Sequence, residues 1–213
     1  MTPTSRSASP FDRWSATYDR AGVQRFTYRP IHDAVLARID ALVPSTVVDL
    51  GCGTGQLTQR MIGRFPDANI IGVDFSGGML TEAADRLRRA GSDDRRLVRA
   101  DALQLPFAAS SVDLVVCTES FHWYRDPAGA LNELARVVNP GGRLLIASIA
   151  TATDVGDRLL TRATGAAGRT VRALPPHRMR QLLASAGFDV IAQRRIPRLG
   201  PILWPLLTDA RRH

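Results

Sequence analysis

From residue 43 onward the sequence alternates short apolar runs with longer stretches in which apolar residues recur at helical spacing. Near-continuous Val, Ile and Leu runs suit strands buried on both faces, and the amphipathic stretches between them supply the crossovers of a parallel sheet. The pattern predicts strands over 46–50, 70–74, 96–100, 112–118 and 143–149, a sixth over 189–195 and a seventh over 202–208. Helices are predicted over 55–64, 76–90, 127–138 and 176–186, with Pro140-Gly141-Gly142 and Gly187 as stop signals behind the last two. Two more, over 10–18 and 30–42, precede the first strand; a doubly wound core does not require them, and they are assigned as a cap over the ligand crevice. The stretch 151–174 carries one amphipathic helix around 155–167 and then a Gly- and Arg-rich connection. It leaves the fifth strand at the sheet's carboxyl edge, where open α/β sheets bind ligands, and is a candidate lid over an acceptor. The expected architecture is α/β: a doubly wound, mostly parallel sheet with helices on both faces. Residues 1–42 form a flexible arm and N-terminal helical cap, and 43–213 form the one domain.

Composition narrows the setting. No apolar run approaches the roughly 18 residues of a membrane span, and the Ser-, Thr- and Pro-rich start has no apolar stretch of the kind a secretory signal needs. Two cysteines, Cys52 and Cys117, do not make a disulfide framework, and a cytoplasmic location is expected. All 28 basic residues are Arg, and the charge is uneven: 17 Arg face 16 acids up to Ala150, whereas 11 face 4 from Thr151 onward. That excess is either a solvated basic surface or an attractor for an anion, whether an acidic metabolite, a phosphorylated carrier, an anionic membrane surface or RNA.

Chemistry enters at the first predicted strand. Val47-Val48-Asp49-Leu50 runs into Gly51-Cys52-Gly53-Thr54-Gly55 and then into a helix. Glycines here let the backbone turn sharply and approach a ligand, and leave amides facing the crevice at a helix N-terminus. Dinucleotide-binding enzymes carry a similar loop, but their G-x-G-x-x-G spacing needs glycine where Gln56 stands, which argues against a nicotinamide cofactor. Asp49, two residues before Gly51, is within reach of an ammonium, directly or through water. Asp74 ends the second strand, where an acid accepts from both ribose hydroxyls, and Asp101, followed by Ala102, ends the third, placed for an adenine amino group. A turn or cap role is the plain alternative for each acid alone; three at successive strand ends describe an adenosyl amino-acid site.

With these residues in place the sequence resembles the class I S-adenosylmethionine-dependent methyltransferases, in particular the small-molecule branch that includes the ubiquinone and menaquinone biosynthesis methyltransferases. The matching pieces are VVDLGCGTG at 47–55, IIGVDFS at 70–76, ADALQLPF at 100–107, SVDLVVCTESFHW at 111–123, ALNELARVVNPGGRLLI at 130–146 and LLASAGF at 182–188. The resemblance implies a Rossmann-like fold, S-adenosylmethionine as cofactor, and methyl transfer to a small-molecule acceptor. Carried over position by position, it implies that Asp49, Gly51, Cys52, Gly53 and Gly55 hold the methionine end. Asp74 and Phe75 would meet the ribose and adenine edge, Met79 the adenine face, and Asp101 and Ala102 the adenine amino group. Thr118 and Glu119 would lie beside the sulfonium, and Tyr18, next to Asp19, would close the site from the cap. For Met79 ordinary core packing is an equal alternative.

Methyl transfer from a sulfonium is an in-line displacement, driven mainly by alignment in a water-poor site, and needs no covalent intermediate. An acceptor with a proton to lose benefits from a base; a carboxylate does not. The candidate base is His122 in Glu119-Ser120-Phe121-His122-Trp123-Tyr124, with a site-lining role as the alternative. No metal is expected, since the histidines and cysteines lack ligand spacing, and Cys117 on an apolar strand is read as structural and not as a nucleophile. The acceptor is expected to be anionic or aromatic: Phe26, Tyr28, Trp123, Tyr124 and Trp204 are candidate pocket aromatics, and Arg25, Arg29 and Arg172 candidate carboxylate clamps. An RNA or protein methyltransferase is the second reading, on the strength of the basic last third; a non-catalytic cofactor-binding protein is the third. Against a nucleic-acid partner, the fourth strand ends in Cys117-Thr118-Glu119-Ser120 and no RNA-binding module is appended.

Overall fold

The structure, a computed structural model, describes residues 28–93, 96–166, 170–197 and 204–213. The predicted helix over 10–18, with Tyr18 and Asp19, lies outside the described residues, as do Arg25 and Phe26.

Helix α1 (Arg29–Asp40) leads into β1 (Thr46–Leu50), α2 (Gln56–Arg64), β2 (Asn69–Asp74), α3 (Gly77–Arg89), β3 (Leu97–Arg99) and β4 (Val112–Thr118). A 3-10 turn at Phe121–Trp123 precedes α4 (Pro127–Val137), β5 (Val138–Ala150), α5 (Asp154–Ala166), α6 (Pro176–Ser185), β6 (Phe188–Arg195) and β7 (Trp204–Arg212). The strands form one sheet in the order β3-β2-β1-β4-β5-β7-β6. The pairs up to β4–β5 are parallel, and β7 enters antiparallel between β5 and β6.

Strand periodicity divides the apolar side chains between two cores. Val48, Leu50, Val115, Cys117, Leu144 and Ile146 point to one face, under Leu131, Leu134 and Val137 of α4 and Met179 and Leu183 of α6. Their neighbours Val47, Leu114, Val116, Leu145 and Ala147 point to the other, under Ile31, Val35, Leu36 and Ile39 of α1 and Leu57 and Met61 of α2. Helix α1 is therefore a layer of the core along most of its length, and only its first turns reach the crevice assigned to the cap. Local chemistry sets the helix starts: the Ser76 side chain accepts from the Met79 amide, and Asp126 accepts from the Gly129 amide with Pro127 behind it.

Two boundaries depart from the apolar pattern. Strand β5 begins at Val138, ahead of the expected 143, because the Pro140-Gly141-Gly142 run bulges out between paired ends: Val138 faces Val112, and Arg143 faces Leu114. Strand β7 runs on past Thr208 to Arg212, through Asp209, which is 3% exposed and ion-paired to Arg38 of α1 and Arg143 of β5. Paired in this way, an acid need not end a buried strand.

Candidate cofactor site

The strand order turns at β1 and β4: β2 and β3 extend from β1 on one side, β5 and its neighbours from β4 on the other. An open α/β sheet binds ligands at the carboxyl ends of the strands beside such a switch point. A crevice opens there, lined by Gly51, Cys52, Gly53, Thr54, Gln56 and Leu57 after β1, by Thr118 at the tip of β4, and by Tyr28 and His32 at the start of α1.

Two glycines in the loop do different work. A Cβ on Gly51, at φ +73°, would lie 2.4 Å from both Cβ and Oγ of Ser120, whose hydroxyl donates to the Leu50 carbonyl at 3.1 Å. Gly51 thus lets the β1 and β4 ends pack together. At Gly53, φ +54°, a Cβ would meet nothing within 4 Å, so that position faces open crevice where a ligand can lie against bare backbone.

Beneath the loop, Asp49 is fully buried. One carboxylate oxygen accepts from the Thr58 hydroxyl at 2.6 Å, and the other has no hydrogen-bond partner among the described residues. Burial pushes its pKa up to about 7, opposed by the Thr58 hydrogen bond and helped by the charge of Asp74. Asp74 holds the loop from the side: one oxygen accepts from the Gly53 amide at 2.9 Å and the other from the Ser76 amide at 2.8 Å.

The other expected site residues spread outward from this centre. Gly55 is the N-cap of α2. Phe75 is 52% exposed at the β2 tip, whereas Met79 is 3% exposed on α3, a core position. Asp101 is exposed, with Oδ1 accepting from the Leu103 amide at 3.0 Å, and Ala102 is half-buried beside it. Glu119 holds a left-handed backbone, φ +51°, and its amide donates to the Ala147 carbonyl at 2.7 Å. A non-glycine residue in that region stores strain, which collects at functional strand ends. His122 is 5% exposed, with Nδ1 3.3 Å from the Ser148 hydroxyl, and its carbonyl accepts from the Arg172 amide at 2.9 Å.

Both thiols are buried, and burial raises both: Cys117 to about 11, Cys52 well above its ordinary value. Burial thus disfavours the thiolate form of both. Among the described residues no group of three or more His, Cys, Asp or Glu is placed to hold a metal ion, and no helix is long and apolar enough to cross a membrane.

The geometry brings Gly51, Cys52, Gly53 and Thr118 to one opening, over Asp49 and beside Asp74. It adds His32, Thr54, Gln56 and Leu57, which the motif reading did not assign to the cofactor. His32 carries a signal in the sequence: it falls on the face of α1 formed by Ile31, Val35, Leu36 and Ile39, where a titratable residue is out of place unless it meets a ligand or a partner. A glycine loop after β1, acids at the ends of β1, β2 and β3, and a crevice at the switch point suit an adenosyl amino acid. The orphaned Asp49 oxygen fits an ammonium, the Asp74 carboxylate fits ribose hydroxyls, and the space over Gly53 admits a chain. The fold is that of a class I methyltransferase.

Comparison with known proteins agrees. The family model described as a methyltransferase domain matches residues 48–146. The malonyl-[acyl-carrier protein] O-methyltransferase of Methylovorus sp. (strain MP688) is 35% identical over 185 residues, covering 84% of this chain and 62% of that protein. The enzyme of that name from Geobacter sulfurreducens is 34% identical over 185 residues, covering 84% of this chain and 68% of that protein. Among solved structures, the methyltransferase in complex with the Haloferax volcanii Trm112 activator superposes with a TM-score of 0.75 at 25% identity, covering 97% of this chain and 99% of that one. The chain belongs to the S-adenosylmethionine-dependent methyltransferase family, with S-adenosylmethionine as its cofactor. It spans a little under two thirds of the length of the first two curated relatives, 62% and 65%.

Proposed function

We propose that this chain transfers the methyl group of S-adenosylmethionine to a carboxylate oxygen of a small acid or of a malonyl-type acyl group on a carrier. The observation that carries methyl transfer is the crevice itself, which the glycine loop and Thr118 line together at the switch point of the sheet. The carboxylate acceptor is supported by the names of the two relatives and by the chemistry around His122.

The cofactor supplies a methyl carbon bonded to a positively charged sulfur. When bound, it would give that methyl to a carboxylate oxygen and keep the carbon–sulfur electron pair, so that both charges would be neutralised. No proton moves, so no general base is required. That agrees with a buried His122 whose ring nitrogen faces Ser148, and we assign His122 to the wall of the site. The protein's share is alignment. Thr118 and the strained Glu119 would hold the β4 tip beside the bound cofactor, and the strap of residues 170–174 is tied by Arg172 to His122 and by the Thr151 hydroxyl to the Ala173 carbonyl at 2.8 Å.

Arg172 is half-buried in this strap, and its Nε has no hydrogen-bond partner among the described residues, so a carboxylate acceptor would give it one. An aromatic acceptor of the ubiquinone and menaquinone kind has less support. Tyr124 is packed against Phe121 at 5.3 Å between ring centroids, Trp204 lies under the Arg195 guanidinium, and Tyr28 alone of the described candidate aromatics lines the crevice. For such an enzyme of small acids we keep the cytoplasmic assignment.

The test is incubation with S-adenosylmethionine labelled in the methyl group, together with malonyl thioesters, free di- and tricarboxylic acids, or a quinol. Label that mild alkali releases as methanol is a methyl ester and supports the reading. Alkali-stable label in the quinol, or label only in added RNA, refutes it.

A further inference from the structure

We infer that His32 binds the cofactor, donating a ring N–H hydrogen bond to the carboxylate of its amino-acid end. This rests on the assignment of the crevice to S-adenosylmethionine and adds a residue outside the motifs that define the family.

Three observations converge. His32 is 7% exposed, yet it lines the crevice together with Gly51, Gly53 and Gln56. Its ring meets Tyr28, centroids 6.5 Å apart, and makes no hydrogen bond among the described residues. Neither ring nitrogen is sealed from the crevice, so the free hydrogen-bonding capacity of the ring is open to a ligand lying there.

The second observation is the helix that shares the crevice lining. Helix α2 starts there at Gly55 with no side-chain cap and no acidic residue in its first turn. Its N-terminal amides and macrodipole favour an anion at that point. The α-carboxylate is the one anionic group an adenosyl amino acid carries, and it lies at the end away from the ribose that Asp74 would hold.

The third is charge. The groups around His32 are Arg60, on α2, and Asp33, its neighbour on α1, and these two are ion-paired with each other. Burial, reinforced by Arg60, lowers the His32 pKa to about 4, so the ring is neutral at physiological pH. A neutral ring has one donor to give and adds no charge to a site already shaped for a zwitterion.

The experiment compares S-adenosylhomocysteine with its decarboxylated analogue, which keeps the adenosine, the thioether and the amine. Binding of both is measured by calorimetry on the wild type, His32→Ala and His32→Asn. His32→Ala should weaken S-adenosylhomocysteine about tenfold or more while changing the analogue less than about twofold, and His32→Asn, which keeps an N–H donor, should recover part of the loss. Equal weakening of both ligands would show a packing role and overturn the proposal, as would no weakening of either. Wild type that binds neither ligand would mean that the crevice assignment itself has failed. Should His32→Ala not fold, nitrogen-15 spectra of the wild-type imidazoles decide. The His32 ring N–H signal should move on adding S-adenosylhomocysteine and not on adding the analogue; the same shift with both overturns the proposal.

Discussion

The amide of Gly53 donates to the carboxylate of Asp74 at 2.9 Å, so the acid at the tip of β2 holds the loop that follows β1. The other oxygen of Asp74 accepts from Ser76, at the start of α3. Preorganisation of the loop and the hydrogen bonding expected toward ribose thus pass through one side chain. Asp74→Ala should lose both and weaken S-adenosylhomocysteine about 100-fold, whereas Asp74→Asn, which keeps one acceptor, should lose about tenfold. Calorimetric titration checks the order; equal affinity in all three proteins would remove Asp74 from the site.

The two loop glycines should separate stability from binding. Gly51→Ala forces a Cβ onto Ser120 at 2.4 Å and should cost about 3 kcal/mol, lowering Tm by roughly 10 °C. Gly53→Ala carries only the cost of its positive φ, about 1 kcal/mol, because a Cβ there meets nothing within 4 Å. Its folding should be nearly intact while its Cβ occupies space meant for the ligand, so it should unfold near the wild-type temperature and bind S-adenosylhomocysteine at least about tenfold more weakly. Wild-type affinity in Gly53→Ala would mean that the ligand does not pass over this loop.

Asp209 is the hub of a buried ion cluster that joins α1, β5 and β7. Asp209→Ala would strand Arg143, whose side chain is 12% exposed, without its counter-charge and should destabilise by about 3 kcal/mol. Arg38 is 34% exposed, and Arg38→Ala leaves Asp209 paired with Arg143, so it should cost less than about 1 kcal/mol. Urea denaturation of the two variants measures the difference. Similar losses would show that Arg143 alone does not compensate the buried Asp209.

The parallel half of this fold was legible because its strands are buried on both faces, so apolar runs such as Val47-Val48 and Leu114-Val115-Val116 stand out from the helices between them. The antiparallel edge was less so. Asp209 reads as a strand end until Arg38 and Arg143, 171 and 66 residues away in sequence, are seen to pair with it. The glycine loop and the acids at the strand tips were legible as motif, since spacing along the chain fixes their place at the sheet edge. His32 was legible only as a titratable residue on an apolar helix face; its place at the crevice was not, because that crevice exists only after β1 and β4 pair. Arg172 is legible as a candidate clamp by its charge, yet its tie to the His122 carbonyl depends on tertiary packing between segments 50 residues apart.

Two buried titratable groups at the crevice should leave opposite marks on stability. For Asp49, with its folded pKa raised from 3.8 to about 7, the folded state keeps a proton that the unfolded chain has released, so between about pH 4 and 7 stability falls as pH rises. For His32, lowered from 6.5 to about 4, the unfolded chain holds the proton, so between about pH 4 and 6.5 stability rises with pH. In the wild type the two slopes oppose each other across that shared window. Asp49→Asn should leave the rising slope uncovered, and His32→Asn the falling one; urea midpoints at half-unit pH steps would show the divergence. The same acid predicts a proton signal on binding. If the orphaned Asp49 oxygen meets the cofactor's ammonium, its pKa drops on binding, and near pH 6.5 the wild type should release protons that Asp49→Asn does not. Calorimetry in two buffers of different ionisation enthalpy measures that release directly, and an equal release from both proteins would place the ammonium elsewhere.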